Sequence, residues 1–109
     1  MNDRHVMIHG DIWNYKDVAD QVEWARQQNW HLKKWTPRAA LISKNKISDY
    51  VGQNYNPDHT TLEEQGWKHD HCEICSWTIF ESKNPEDGTA YTTDGHRWIC
   101  QECYEQFIA

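Results

Sequence analysis

The sequence predicts a small α+β domain, with an N-terminal helix and short strands packed on a C-terminal module that carries every cysteine. Three observations predict it. The 109 residues suit one domain with a thin core, because a chain of this size buries a little over ~60% of its unfolded surface. Apolar content is only 38% and mean hydropathy is −1.00, yet seven Trp, five Tyr and two Phe are present. Each aromatic buried removes roughly 150–250 Å² from water, so the core is expected to be built from rings. Lastly, the four cysteines fall in two Cys-x-x-Cys pairs, Cys72/Cys75 and Cys100/Cys103, a staple of the kind small domains use.

The elements follow in order. Residues 15–28 predict a helix: Tyr15, Val18, Ala19, Val22 and Ala25 form an i, i+3, i+4, i+7 stripe. Asn14 or Asp17 can cap its start, and Arg26 suits the negative end of its dipole. Trp24 falls off the stripe. Pro37 argues against a helix through residues 30–47, where "RAALIS" predicts a short strand. "VGQNYNPDH", residues 51–59, is turn and loop, leading from an N-terminal part, 1–65, into a cysteine module, 66–109, the two forming one compact domain. Within the module, "CEIC" is a knuckle, "SWTIFES" a short strand and "KNPEDG" a turn. Asp94-Gly95 predicts a two-residue hairpin turn between flanks holding Tyr91 and Trp98. The tail "QECYEQFI" starts a helix, with Phe107 and Cys103 on one face.

A Cys-x-x-Cys turn brings two sulfurs close enough to chelate one ion. Two such turns complete a tetrahedral four-thiolate site, which predicts one structural Zn²⁺ on Cys72, Cys75, Cys100 and Cys103. Redox or disulfide pairs are the alternative. A thioredoxin-like site, however, uses one Cys-x-x-Cys after a strand, not two matched pairs around a hairpin. Four thiolates also fill the coordination sphere, whereas a catalytic zinc keeps a position open for water. The ion is expected to supply folding energy, on the order of 10 kcal/mol in metal-finger peptides. His69, His71 and His96 are candidates for hydrogen bonds near the sulfurs; His69, Asp70 and His71 could alternatively form an extra metal site.

Knuckle, loop, hairpin, then helix, with the second pair at the hairpin end, resembles a treble-clef zinc finger over about residues 66–109. Cys72, Cys75, Asp94-Gly95, Cys100 and Cys103 carry the resemblance. Ser76 stands where such knuckles often have Gly, and the final helix has barely two turns. A zinc ribbon is the competing fold. Treble clefs host nucleases, DNA readers and protein-binding modules, so the resemblance implies a fold and leaves function open.

Two enzyme signatures are partly matched. His71-Cys72-Glu73 with Cys100/Cys103 fits the H-x-E…C-x-x-C of nucleobase deaminases, but Ile99 stands where that signature has Pro, and Cys72 and Cys75 go unexplained. Asp70-His71 resembles the Asp-His pair of HNH-type nucleases, but it precedes the first knuckle and no His follows Cys103. The chain is therefore expected not to be an enzyme.

Charge is unevenly spread. Residues 1–50 carry eight Lys/Arg and six Asp/Glu; residues 51–109 carry three and eleven. Between Trp24 and Ser48 there is no acidic residue. In and beside the basic segment 26–46, Trp24, Trp30 and Trp35 lie among Lys33, Lys34 and Arg38, a composition suited to single-stranded nucleic acid. The same residues could instead be core indoles with a solvated basic face, or a basic segment lying against the acidic module. The overall charge of −6 repels phosphates. The leading expectation is an interaction module for a protein with a basic surface, such as an inhibitor or immunity-type protein for a toxin or nuclease. The N-terminus has charges where a signal peptide is apolar, and no apolar run reaches ~18 residues, so a cytoplasmic location without membrane contact is expected.

Overall fold

The structure is a computed structural model and describes residues 4–109. It is a small mixed helix-and-sheet domain with the four cysteines gathered at one point. Strands β1 (His5–Ile8) and β2 (Asp11–Asn14) form an antiparallel hairpin. Its two-residue turn is His9-Gly10, with φ of 49° and 81°. That left-handed pair gives a turn whose twist matches the strands, and Gly10 adopts it without steric cost. Val6 and Ile8 point into the core.

The helix predicted over residues 15–28 has two pieces. A 3₁₀ turn, Tyr15–Asp17, is capped by Asn14, whose Oδ1 accepts from the Lys16 N–H at 3.2 Å. Helix α1 then runs Ala19–Arg26, because Val18 at φ −119° interrupts the spiral. Val18, Val22 and Ala25 are fully buried, as their spacing requires. Arg26 Nε donates to the Phe107 carbonyl at 3.0 Å, tying α1 to the C-terminus.

Strand β3 (His31–Lys34) is an edge strand of a sheet completed in the cysteine module by β9 (Thr89–Thr92) and β10 (Trp98–Ile99), in the order β10-β9-β3. A second antiparallel sheet joins β4 (Arg38–Ser43), β5 (Lys46–Asp49) and β6 (Thr60–Trp67), in the order β5-β4-β6. "RAALIS" is β4. A bulge near the end of β6 shifts its register on β4: Ala40 faces Glu63, but Arg38 faces Trp67. Gly66 lies in this bulge, where any Cβ would fall 3.1 Å from that of Ala40. The extra residues swing Trp67 and Arg38 toward the module.

The module continues with β7 (His69–His71) and β8 (Thr78–Phe80), an antiparallel pair around the first knuckle. Ser76 takes φ 66°, the left-handed conformation for which Gly is the usual residue. A short helix α2 (Pro85–Gly88), capped by Asn84, occupies the expected "KNPEDG" turn. The β9–β10 hairpin differs from expectation. Its loop spans residues 93–97 rather than Asp94-Gly95 alone, because side chains close it. Asp94 Oδ1 accepts from the N–H groups of His96 and Arg97, and buried Thr92 Oγ1 donates to the Arg97 carbonyl at 2.7 Å. Helix α3 (Gln101–Cys103) passes into a π-helical turn, Tyr104–Ile108, that buries Phe107.

One apolar cluster joins β1, α1, the knuckle, β10 and the terminal helix, and all seven Trp belong to it or pack on it. The β5-β4-β6 sheet stands outside, touching the cluster through Trp67. Among the described residues no helix is long and apolar enough to cross a membrane.

Candidate metal centre

Each cysteine pair is set by local backbone geometry. Cys72 follows β7, and the chain turns so that the N–H groups of Ile74 and Cys75 point at Cys72 Sγ, at 3.4 and 3.5 Å. Cys100 is the N-cap of α3, and its Sγ accepts from the Cys103 N–H at 3.4 Å. A bridge between Cys72 and Trp98, with the Glu73 N–H on the Trp98 carbonyl at 2.9 Å, clamps one turn against the other.

The four Sγ atoms lie within 4.8 Å of one another and all four cysteines are buried. Cys75 and Cys100 are 3.7 Å apart at sulfur. Tetrahedral Zn–S bonds of about 2.3 Å place neighbouring sulfurs about 3.8 Å apart. A disulfide would need them at about 2.05 Å. Donor chemistry, spacing and the N–H···S bonds all fit a tetrahedral thiolate site. Mutual contact shifts the thiols in opposite directions. Burial opposes ionisation of Cys72, but hydrogen bonds from Cys100, Cys103 and Cys75 outweigh it and hold Cys72 well below the usual thiol range. Contacts with Cys100, Cys72 and Cys75, reinforced by burial, push Cys103 above that range. A metal ion held among them would favour the thiolate form of all four.

A histidine that sequence reasoning overlooked reaches this centre. The β1–β2 turn delivers His9, whose Nε2 lies 3.3 Å from Cys100 Sγ. Its ring stacks on Trp77 at 3.6 Å, and its backbone N–H donates to Glu102 Oε2. The sequence signal was the hairpin pattern of "VMIHGDIW", with an x-Gly turn. The 91-residue separation from Cys100 hid the contact.

The nominated histidines sit elsewhere. His96 Nδ1 is 2.7 Å from Asp49 Oδ2. His71 is exposed, with Nδ1 3.1 Å from the Ser76 carbonyl, and the exposed His69 ring packs edge-on against it at 5.0 Å. Among the described residues, His9 is the one histidine hydrogen-bonded to a cysteine sulfur.

Asp70 is an acceptor hub. Its carboxylate receives the indole N–H of Trp35 at 2.8 Å and of Trp67 at 3.0 Å. Arg38 adds a fork at 2.6 and 3.2 Å, and its guanidinium also grips Asp49 at 2.7 and 3.0 Å. Burial opposes the Arg38 charge, but these bonds outweigh it and raise its pKa. At Asp49, burial likewise opposes ionisation, and bonds from Arg38 and His96 still leave its pKa lowered.

The indoles and Arg38 of the basic segment are engaged inside the fold, while Arg26, Lys33, Lys34, Lys44 and Lys46 stay exposed. Trp35 is fully buried, which removes it from any binding surface, because its indole N–H must reach Asp70. Arg38 is committed to the two carboxylates. Trp30 Nε1 donates to the Ala25 carbonyl at 2.7 Å, and Trp24 packs edge-on against Trp30, with Arg97 over its ring. Lys33 and Lys34 remain exposed on β3, pairing with Ala90 and Thr89 of the acidic module. No family model, curated protein or solved structure matches the chain.

Proposed function

We propose that this chain is a non-enzymatic, zinc-stabilised treble-clef module that binds a protein with a basic surface, acting in the cytoplasm as an inhibitor or immunity-type protein. The carrying observation is the division of labour among its polar groups. The four cysteines are buried, and together they would fill the coordination sphere of one ion, which would leave no position on it for a substrate. Asp70, the acid of the HNH-like pair, is consumed by three donor side chains. Acid dominates the exposed face of the cysteine module: Glu73, Glu81, Glu86, Asp94 and Glu105 are exposed there against Lys68, Lys83 and Arg97, with Asp58, Glu63 and Glu64 exposed beside it. Such a surface speeds encounter with a cationic partner. The order of knuckle, hairpin and capped helix supports the treble clef over a ribbon, because Cys100 caps a helix and Cys103 lies within it.

The test is a pull-down from host lysate, with and without added nuclease, repeated with Glu63, Glu64, Glu73 and Glu81 changed to Lys. A partner that survives nuclease, and is lost on charge reversal and at high salt, is expected. Recovery that collapses with nuclease and persists after charge reversal would assign Lys33, Lys34 and their neighbours to nucleic acid instead.

A further inference from the structure

Beside the cysteine cluster, a buried imidazole nitrogen and two carboxylates face one cleft. His9 Nε2 faces Cys100 Sγ at 3.3 Å. A thiolate there accepts from the Nε2 side of the ring, which leaves Nδ1 as the nitrogen that faces the cleft. The His9 side chain is only 7% exposed, and Nδ1 has no hydrogen-bond partner. The groups facing it are carboxylates, Glu86 Oε1 at 3.5 Å and Glu102 Oε1 at 3.8 Å. Neither distance is the ~2.7–2.9 Å of a charge-assisted hydrogen bond. They approach the ~3.3–3.6 Å that separates neighbouring ligands around a tetrahedral ion with bonds of about 2.0–2.2 Å. These atoms line a cleft of 290 Å³, with Gln101 and Glu105 on its walls.

We propose that this cleft is a second metal site, in which a divalent cation binds Nδ1 of His9 and the carboxylates of Glu86 and Glu102. The imidazole favours an ion of zinc or cobalt type over magnesium or calcium. Glu86 and Glu102 are 59% and 41% exposed, so their side chains are free to close on the ion, with water completing its shell. The field favours it: residues 51–109 hold eleven acids against three bases, and a four-thiolate zinc centre adds two negative charges. His9 would then bridge the two ions, donating to a thiolate through one nitrogen and ligating through the other.

The inference rests on the cysteines holding their own ion as thiolates, so the experiment reads the two sites separately. The full chain is loaded with Co²⁺, desalted, and analysed for cobalt per chain and for thiolate-to-cobalt charge-transfer absorption. Two ions per chain are expected in the wild type and one in the Glu86→Gln/Glu102→Gln double variant, with the charge-transfer band unchanged. The amide oxygen introduced by Glu102→Gln still accepts from the His9 backbone N–H, so the turn stays in place. One ion in the wild type with the band intact overturns the second site. Two ions in both proteins also overturn it and move the extra ion elsewhere, the His69/His71 pair being the next place to look. A missing band would instead refute the cysteine centre, and the second site with it.

Discussion

Asp70 illustrates how much one carboxylate can organise. Its acceptors are filled by Trp35, Trp67 and Arg38, three residues from three different segments, and its side chain is only 11% exposed. Asp70→Ala strands two indole N–H groups and half of the Arg38 fork. A loss of about 3–5 kcal/mol is expected, read as a shift of the urea midpoint. Asp49 gives a pH signature. Its folded pKa is lowered, so its contribution is present above the unfolded value of about 3.9 and is lost as pH falls through the folded one. Asp49→Asn is therefore expected to cost about 1–2 kcal/mol at neutral pH, with the wild-type and variant curves converging below the usual aspartate range. Equal gaps at every pH would show that the carboxylate charge is not what matters. Legibility at this scale depended on locality. The cysteine cluster could be read because each pair is closed by a turn of four residues. His9 could not, and Asp70 only toward Trp67, because Cys100 lies 91 residues from His9, and Trp35 and Arg38 lie 35 and 32 residues from Asp70, so tertiary packing selects them.

The elements were legible where hydrophobic period and turn chemistry agreed. β4 and the inward stripe of α1 follow directly from "RAALIS" and from Val18, Val22 and Ala25. The five-residue loop at 93–97 did not, because an Asp-Gly pair signals a tight turn only when neighbouring side chains leave it alone; here Thr92 and Asp94 rebuild it. Two substitutions probe the elements. Cys100 is both a ligand candidate and the N-cap of α3, and Ser is itself a good N-cap, so Cys100→Ser separates the two roles. It is expected to keep the cap, lose the ion, and unfold at least the cysteine module, since the ion is worth on the order of 10 kcal/mol. Metal analysis with far-UV circular dichroism reads both, and a folded, metal-loaded variant would sink the structural-clip role. At Gly88 an added Cβ overlaps the Ser82 carbonyl, and the Gly88 carbonyl must also stay within 2.8 Å of the Trp35 N–H. Gly88→Ala is expected to cost about 1–3 kcal/mol in denaturant midpoint, because backbone has to move on both sides.

The whole molecule measures 56 × 32 × 24 Å, and its stability is unevenly distributed along that length. The cysteines share one buried cluster with β1, α1 and Phe107, so the candidate metal centre lies at the middle of the core rather than in an appended finger. The β5-β4-β6 sheet buries little besides Ala40 and Leu41, and is tied on by Trp67, the Arg38 bridges and the His96–Asp49 contact. This arrangement makes a prediction about cooperativity. If the ion were local to the module, a chelator would melt residues 66–109 and leave α1 intact. Since Val18, Val22 and Ala25 pack into the same cluster as Cys72 and Cys103, α1 has no apolar partner once the cluster opens. An isolated eight-residue helix is unstable in water. Chelation at neutral pH is therefore expected to remove helical far-UV signal and tryptophan near-UV signal in a single coincident transition. Near-UV loss that precedes helix loss would mean that the N-terminal elements hold together without the metal centre.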